Sequence, residues 1–213
     1  QRGCPLLSEL DLGARFLRGP LLAVTGSKGK SSLVKLLAET LTRSGRRALP
    51  GGNYGTALCT LAEAPETPDW AVVECSSFQL ETTNELQPRI AILLNLSPDH
   101  LDRHESLDAY RDAKLRLFDR QGAADLSLLP AADNALQRAF QARCRRPFET
   151  FGSEPGSGWR FVPGAVLRRA DPHFRVSLGG CYFDNPILGP AAAAGTAALV
   201  HAGLTAAEIA EGF

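Results

Sequence analysis

The chain has 213 residues, in which 23 Lys+Arg balance 23 Asp+Glu, and 44% of its side chains are apolar. That is enough for one large domain or two small ones with a sizeable core, and 22% charged residues exclude wholesale disorder. A net charge of zero argues against a general nucleic-acid or membrane-surface binder, so an anionic ligand must be caught by a built site.

There is no methionine and the first residue is Gln1, which leads us to expect a processed product or a fragment. Cys4, Cys59, Cys75, Cys144 and Cys181 are odd in number, widely spaced and without a Cys-x-x-Cys pair. They read as reduced thiols of a cytoplasmic protein rather than a disulfide framework or a zinc ribbon. No apolar run approaches the roughly 20 residues of a membrane helix. The chain is expected to be soluble, with no membrane insertion.

In chain order, Leu21 to Val24 reads as a buried strand and Ser31 to Thr42 as a helix with Leu33, Leu36, Leu37 and Leu41 on one face, closed by Gly45. Trp70 to Val73 and Arg89 to Leu94 are the next strands. Ser106 to Arg120 is a helix, Leu126 to Leu129 a strand and Asp133 to Cys144 a helix. Strands with almost no polar alternation, separated by helices, predict an α/β fold with a mostly parallel sheet covered on both faces. Between Phe148 and Phe183, short pieces at Arg160–Val162, Val166–Arg168, Phe174–Leu178 and Cys181–Phe183 predict a small antiparallel patch near residues 159–184. After Gly189-Pro190 the chain reads as helical to about Val200. Leu204-Thr205 then opens a last helix that ends at Phe213.

Between the first strand and the first helix lies Val24-Thr25-Gly26-Ser27-Lys28-Gly29-Lys30-Ser31-Ser32. Glycines let such a loop turn its N–H groups on a phosphate, and the helix adds the positive end of its dipole. Lys30 is placed to reach β/γ-phosphates and Ser31 to ligate Mg²⁺. A strict phosphate loop has glycine where this chain has Val24, yet the strand–loop–helix context favours nucleotide binding over a structural turn. Glu74 ends the second strand beside this loop, where such folds hold a metal; by itself it could equally cap the next helix. Ser76 and Gln79 offer neutral groups suited to a polar substrate or to a turn.

The third strand runs into Asn95-Leu96-Ser97-Pro98-Asp99-His100-Leu101-Asp102-Arg103-His104. Zinc is disfavoured, because there is no His-Glu-x-x-His and no nearby cysteine. One imidazole among oxygen ligands around Mg²⁺ or Mn²⁺ is the better reading. By pattern alone Lys114 is an exposed helix lysine.

Four stretches together resemble the Mur ligase family. They are Thr25 to Ser31, Gly51-Gly52-Asn53-Tyr54-Gly55, Glu74 to Glu81 with Ser-Ser-Phe-Gln-Leu-Glu, and Asn95 through Asp99-His100-Leu101-Asp102 to Lys114. The Ser-Ser-Phe-Gln-Leu-Glu segment is similar to that of the D-glutamate-adding branch. The resemblance implies the family's central ATP-binding domain over residues 21–213, with residues 1–20 a linker or the end of a preceding domain. It implies ATP-dependent amide formation, in which the carboxylate of UDP-N-acetylmuramoyl-L-alanine becomes an acyl phosphate that D-glutamate attacks, leaving ADP and phosphate. It further implies ATP contacts at Gly26, Ser27, Lys28, Gly29, Lys30, Ser31 and Ser32. Mg²⁺ or Mn²⁺ would be held at Ser31, Glu74, His100 and a carbamylated Lys114, with Lys30, Glu74, His100 and Lys114 catalytic. Asn53, Ser76 and Gln79 would face the substrate of a monomeric enzyme.

Three features depart from the family. Flanking uridine-binding and C-terminal domains are absent from the chain, and Lys28 stands where asparagine is commoner. Gly189-Pro190 runs straight into Ala191-Ala192-Ala193-Ala194 where a His-Asn-x-x-Asn helix start is usual. The alternatives are another ligase of the superfamily, such as a folylpolyglutamate synthase or a different Mur ligase, or a nucleotide-binding fragment inactive in ligation.

Overall fold

The structure, a computed structural model, describes residues 7–98 and 101–213. The strands are β1 (Leu21–Thr25), β2 (Ala48–Gly52), β3 (Trp70–Glu74), β4 (Ile90–Leu93), β5 (Leu126–Pro130), β6 (Glu149–Gly152), β7 (Trp159–Val162), β8 (Ala165–Arg168) and β9 (Asp171–Ser177). They form one sheet of nine strands in the order β2-β3-β1-β4-β5-β6-β7-β8-β9. Every pairing from β2 across to β7 is parallel, and only β7-β8 and β8-β9 are antiparallel. The helices are α1 (Glu9–Phe16), α2 (Lys30–Arg43), α3 (Leu58–Ala62), α4 (Ser77–Thr82), α5 (Leu101–His104), α6 (Leu107–Leu115), α7 (Asn134–Cys144), α8 (Gly189–His201) and α9 (Ala206–Gly212).

Successive residues of a strand point to opposite faces, and this sheet buries both. Leu22 and Val24 of β1 join Leu33, Leu37 and Leu41 of α2 and the alanines of α8 in one core. Leu21 and Ala23 of the same strand join Leu10, Leu58, Leu80, Phe118 and Phe140 in the other. Burying a leucine of this kind contributes about 1.5–3 kcal/mol, so the uninterrupted apolar strands are what place the sheet centrally. The alanine run of α8 has a separate use, because small side chains let that helix lie close against β6 and β7.

Several boundaries differ from the sequence expectation. The helix expected from Ser106 to Arg120 starts after Ser106, whose hydroxyl caps it, and is α-helical only to Leu115 before a 3₁₀ turn over Arg116–Phe118. Cys181–Phe183 is not a strand. The chain reverses there through Gly180, at φ +81°, and two turns close it, Cys181 N–H to Leu178 O and Asp184 N–H to Cys181 O. The antiparallel patch is present, ends at Ser177 and extends the main sheet. Strand β2 was not foreseen, since Ala-Leu-Pro-Gly-Gly carries no strand composition. It survives at the sheet edge, pairing with β3 alone, where Pro50 forfeits no interior ladder bond.

Helix α1 lies in the stretch read as a linker or the end of a preceding domain. Ser8 caps it, and it packs on α3. Its Asp11, fully buried, accepts from the backbone N–H of Asn84 (2.8 Å), Glu85 (2.9 Å) and Leu86 (3.2 Å), which ties α1 to the loop entering β4.

Candidate functional site

The carboxyl ends of β1, β2, β3 and β4 lie side by side, and the loops leaving them carry most of the residues singled out above. In an open parallel sheet this edge is where ligands bind. After β1 the chain turns through Gly26 to Gly29. Gly29, at φ +85°, takes the N-cap position of α2, a left-handed conformation that glycine adopts without strain. No side chain caps α2, so its first-turn N–H groups face the loop's concavity as an anion would require. Lys30 Nζ folds back and donates to Ser27 O at 3.1 Å.

Ser31, one residue into α2, donates from Oγ to Glu74 Oε2 at 2.6 Å. Glu74, the last residue of β3, is 3% exposed, and its Oε1 accepts from Asn53 Nδ2 at 2.9 Å. Asn53 is held there by its own N–H, which donates to Glu74 O at 2.9 Å. The approach needs glycine just before it, because a Cβ on Gly52 would lie 2.2 Å from Glu74 O. Three residues distant in sequence thus meet at one carboxylate. The cap of the next helix is Ser76, which leaves Glu74 free of that duty.

Ser76 and Gln79 form a reciprocal capping box. Ser76 Oγ accepts from Gln79 N–H at 3.2 Å, and Gln79 Oε1 accepts from the Ser76 N–H and hydroxyl, each at 3.0 Å. Between Glu74 and Ser76, burial first and the Glu74 charge second push the Cys75 thiol up to about 12.

Lys114 is buried at 1% exposure, against the solvent-facing position its helical pattern suggested. Its Nζ donates to Gly26 O at 2.9 Å and lies 4.3 Å from the centre of the Tyr110 ring. The α6 lysine therefore touches the phosphate loop directly. His100 and Asp99 lie outside the described residues. His104, weighed above with them, has Nε2 2.9 Å from Ser77 Oγ and Nδ1 3.2 Å from Glu81 Oε1, with its ring stacked on Phe78. Both its nitrogens are engaged in joining α5 to α4.

Two loop-holding residues were missed from sequence. Asn95 Oδ1 accepts from the N–H of Ser27 (3.1 Å) and Lys28 (2.9 Å), while its Nδ2 donates to Lys28 O (2.9 Å). Tyr110, 1% exposed, has its hydroxyl 3.2 Å from Ser27 Oγ. The available signal was an amide directly after a buried strand at the binding edge.

The donor set at Ser31, Glu74 and Asn53 consists of hard oxygens plus one amide, the kind that suits Mg²⁺ better than zinc. A buried carboxylate whose two oxygens both face polar side chains fits a cation that takes its other ligands from phosphate and water.

A profile described as Mur ligase middle domain matches residues 24–189 of this sequence. The chain belongs to the Mur ligase middle-domain family. UDP-N-acetylmuramoylalanine–D-glutamate ligase of Acidobacterium capsulatum is 43% identical over 146 residues, covering 68% of this chain and 32% of that protein. The like-named ligase of Syntrophus aciditrophicus is 44% identical over 131 residues, 62% of this chain and 29% of that one. This Mur ligase domain thus spans about a third of the curated relatives it matches. Among solved structures, MurF from Acinetobacter baumannii superposes with a TM-score of 0.73 over 96% of this chain and 48% of its own, at 21% identity. MurF ligase from Thermotoga maritima in complex with ADP gives 0.71 over 95% and 51%, at 20% identity. Those two establish the Mur ligase fold.

Proposed function

We propose that this chain is the ATP-binding core of a cytoplasmic, monomeric ligase that joins D-glutamate to UDP-N-acetylmuramoyl-L-alanine, using ATP and Mg²⁺ or Mn²⁺. The observation that carries the reading is the meeting of Ser31, Glu74 and Asn53 beside a phosphate loop that Lys114 touches from below. The similarity to D-glutamate ligases supports this choice of substrates.

The chemical problem is to bring two anions, the γ-phosphate and a carboxylate, within bonding distance. First-turn amides of α2 and the Lys30 ammonium cradle the phosphates, with Gly26 to Ser32 forming the wall. Ser31 and Glu74 would hold the divalent cation, which when bound screens the phosphate charge. The carboxylate oxygen then attacks the γ-phosphorus, the bond to the β–γ bridging oxygen breaks, and ADP leaves. The D-glutamate amine adds to the acyl phosphate carbon and phosphate departs, the amine losing a proton. Asn53, Ser76 and Gln79 would meet the substrate's reacting end. Ser76 and Gln79 would reach it only while keeping their capping box.

Lys114 as a carbamate would become an anion able to support a second cation together with His100. In that form Nζ keeps one hydrogen for Gly26 O. Substrate-dependent ADP release by the protein joined to its flanking domains tests the reading. Release with the muramoyl-alanine nucleotide and D-glutamate is expected; release with a folate and glutamate instead would assign a different ligase.

A further inference from the structure

Thr25 ends β1 at the point where the chain enters the phosphate loop, and it is fully buried. Among the described residues its Oγ1 has no hydrogen-bond partner. A hydroxyl shut away from water without a partner is destabilising, and a valine of the same shape would fill the space without that penalty. β1 uses valine one residue earlier, at Val24. The hydroxyl at Thr25 therefore asks for an acceptor that the unmodified chain does not bring to it.

Strand alternation shows which groups surround it. Thr25 pairs with Leu93 of β4, and Leu93 belongs to the core on the Leu21 and Ala23 side of the sheet. Paired residues of neighbouring strands point to the same face, so the Thr25 side chain lies on that side too. Cys75 joins the same core, fully buried, its thiol kept protonated chiefly by burial. Lys114 arrives on this side as well, because its neighbour Leu115 belongs to that core and α6 packs on α4, whose Leu80 does so too. Its Nζ is bonded to the carbonyl of Gly26, the residue directly after Thr25. A hydroxyl without an acceptor and a buried amine thus share one face of the sheet, at adjacent residues of the loop.

An ammonium group only donates, so Lys114 in its plain form offers the Thr25 hydrogen nothing to bond. When the neutral amine attacks carbon dioxide, an Nζ–C bond forms, one C–O π bond breaks onto oxygen and Nζ releases a proton. The product carries two oxygens that accept hydrogen bonds and one net negative charge. A buried anion of this kind needs donors fixed in place. We propose that Thr25 is the positioning residue for a carbamate on Lys114, its hydroxyl donating to a carbamate oxygen. The proposal rests on the carbamate reading above and adds to it the residue that makes the buried anion tolerable. It also accounts for a threonine, rather than a second valine, at the end of β1.

The test follows carbamate formation on the 213-residue chain in magnesium buffer with isotope-labelled bicarbonate, reading the carbamate carbon by NMR. Parent, Thr25→Val, Thr25→Ser and Lys114→Ala are compared. The parent and Thr25→Ser are expected to show a signal that Lys114→Ala lacks, and Thr25→Val to need about tenfold more bicarbonate for half its intensity. Without bicarbonate, Thr25→Val should unfold at or above the parent's thermal midpoint, because it buries no unpaired hydroxyl. Bicarbonate should then raise the midpoint of the parent and leave that of Thr25→Val in place. If Thr25→Val keeps the parent's bicarbonate dependence, the hydroxyl does not hold the carbamate and the proposal is overturned. Loss of the signal in Thr25→Ser as complete as in Thr25→Val also overturns it, since packing of the methyl group would then decide. If the parent shows no signal beyond that of Lys114→Ala, the carbamate reading itself fails, and the role of Thr25 falls with it.

Discussion

Replacing Asn95 by alanine removes a side chain that holds the loop from Gly26 to Gly29 from the β4 side. Three hydrogen bonds are lost, two from loop N–H groups into Oδ1 and one from Nδ2 to Lys28 O. Asn95 is half-buried, so water replaces part of what is removed, and each bond contributes a net of about 0.5–1.5 kcal/mol. The sum is about 1.5–4.5 kcal/mol, which keeps the loop in one conformation. The backbone bond from Ser27 N–H to Asn95 O (3.1 Å) and the Ser27 hydroxyl contacts to Ser97 remain, which argues for the lower half of that range. About 2 kcal/mol of lost ordering lowers the population of the binding-competent loop and weakens MgATP roughly thirtyfold. Calorimetric titration with MgATP reads the affinity, and urea unfolding reads global stability, which is expected to fall by less because the loop opens without the sheet. If Asn95→Ala binds MgATP within twofold of the parent, the loop is held by its backbone alone and the reasoning fails.

Further outcomes follow from the same geometry. On the proposed reading, Lys30→Ala in the chain joined to its flanking domains should lose ADP release almost completely with little change in thermal midpoint, and an unchanged kcat would remove this residue from the chemistry. Lys114→Ala in the same protein should abolish ADP release, with partial recovery on adding short carboxylates; full activity without additive would refute the proposed carbamate. Asp11→Ala leaves three N–H groups, that of Leu86 on a buried residue, without their fully buried carboxylate and should cost about 3 kcal/mol in urea unfolding, an effect under 1 kcal/mol being incompatible with the contacts described. The Glu149 carboxyl is held below its usual range, by the His201 hydrogen bond first and by that from Trp159 in addition. Its stabilisation is therefore complete above the ordinary carboxylate pKa and fades as pH falls through the lower folded value. Glu149→Gln should flatten that acid limb of the stability curve. Native Cys75, with its thiol raised to about 12, should resist alkylation at pH 8 until the protein unfolds.

The central strands were legible because a strand buried on both faces must be apolar at every position, and Leu21 to Val24 or Ile90 to Leu94 can be little else. The turn from β1 into α2 was legible for a related reason, since closely spaced glycines between a buried strand and an amphipathic helix mark a tight junction, and Gly29 does take φ +85° there. Strand β2 was hidden because an edge strand can be built from Ala-Leu-Pro-Gly-Gly when its neighbour supplies the ladder. Burial of Lys114 was hidden for a different reason. Helical periodicity gives the face a residue occupies, but only the tertiary fold shows that Tyr110 and the Gly26 carbonyl lie on that face. The Asn95 clamp and the Ser76–Gln79 box depend likewise on which backbone groups the chain brings near, information that residue type alone does not carry.

The placement of α8 has a consequence for how the protein is made. All of Gly26, Asn53, Glu74, Asn95 and Lys114 emerge from the ribosome before the chain reaches β5, so the parts of the site exist early. The face of the sheet beneath α2 is completed by α8 and α9, which follow all of these residues in the chain. Until then Leu22, Val24 and Ile92 have lost their cover, and α2, which carries the phosphate loop, lacks one side of its bed. Order in the loop from Gly26 to Ser32 therefore becomes a sign that α8 and α9 have docked, and a nascent chain stalled before Gly189 should need a chaperone more than one in which both helices have emerged.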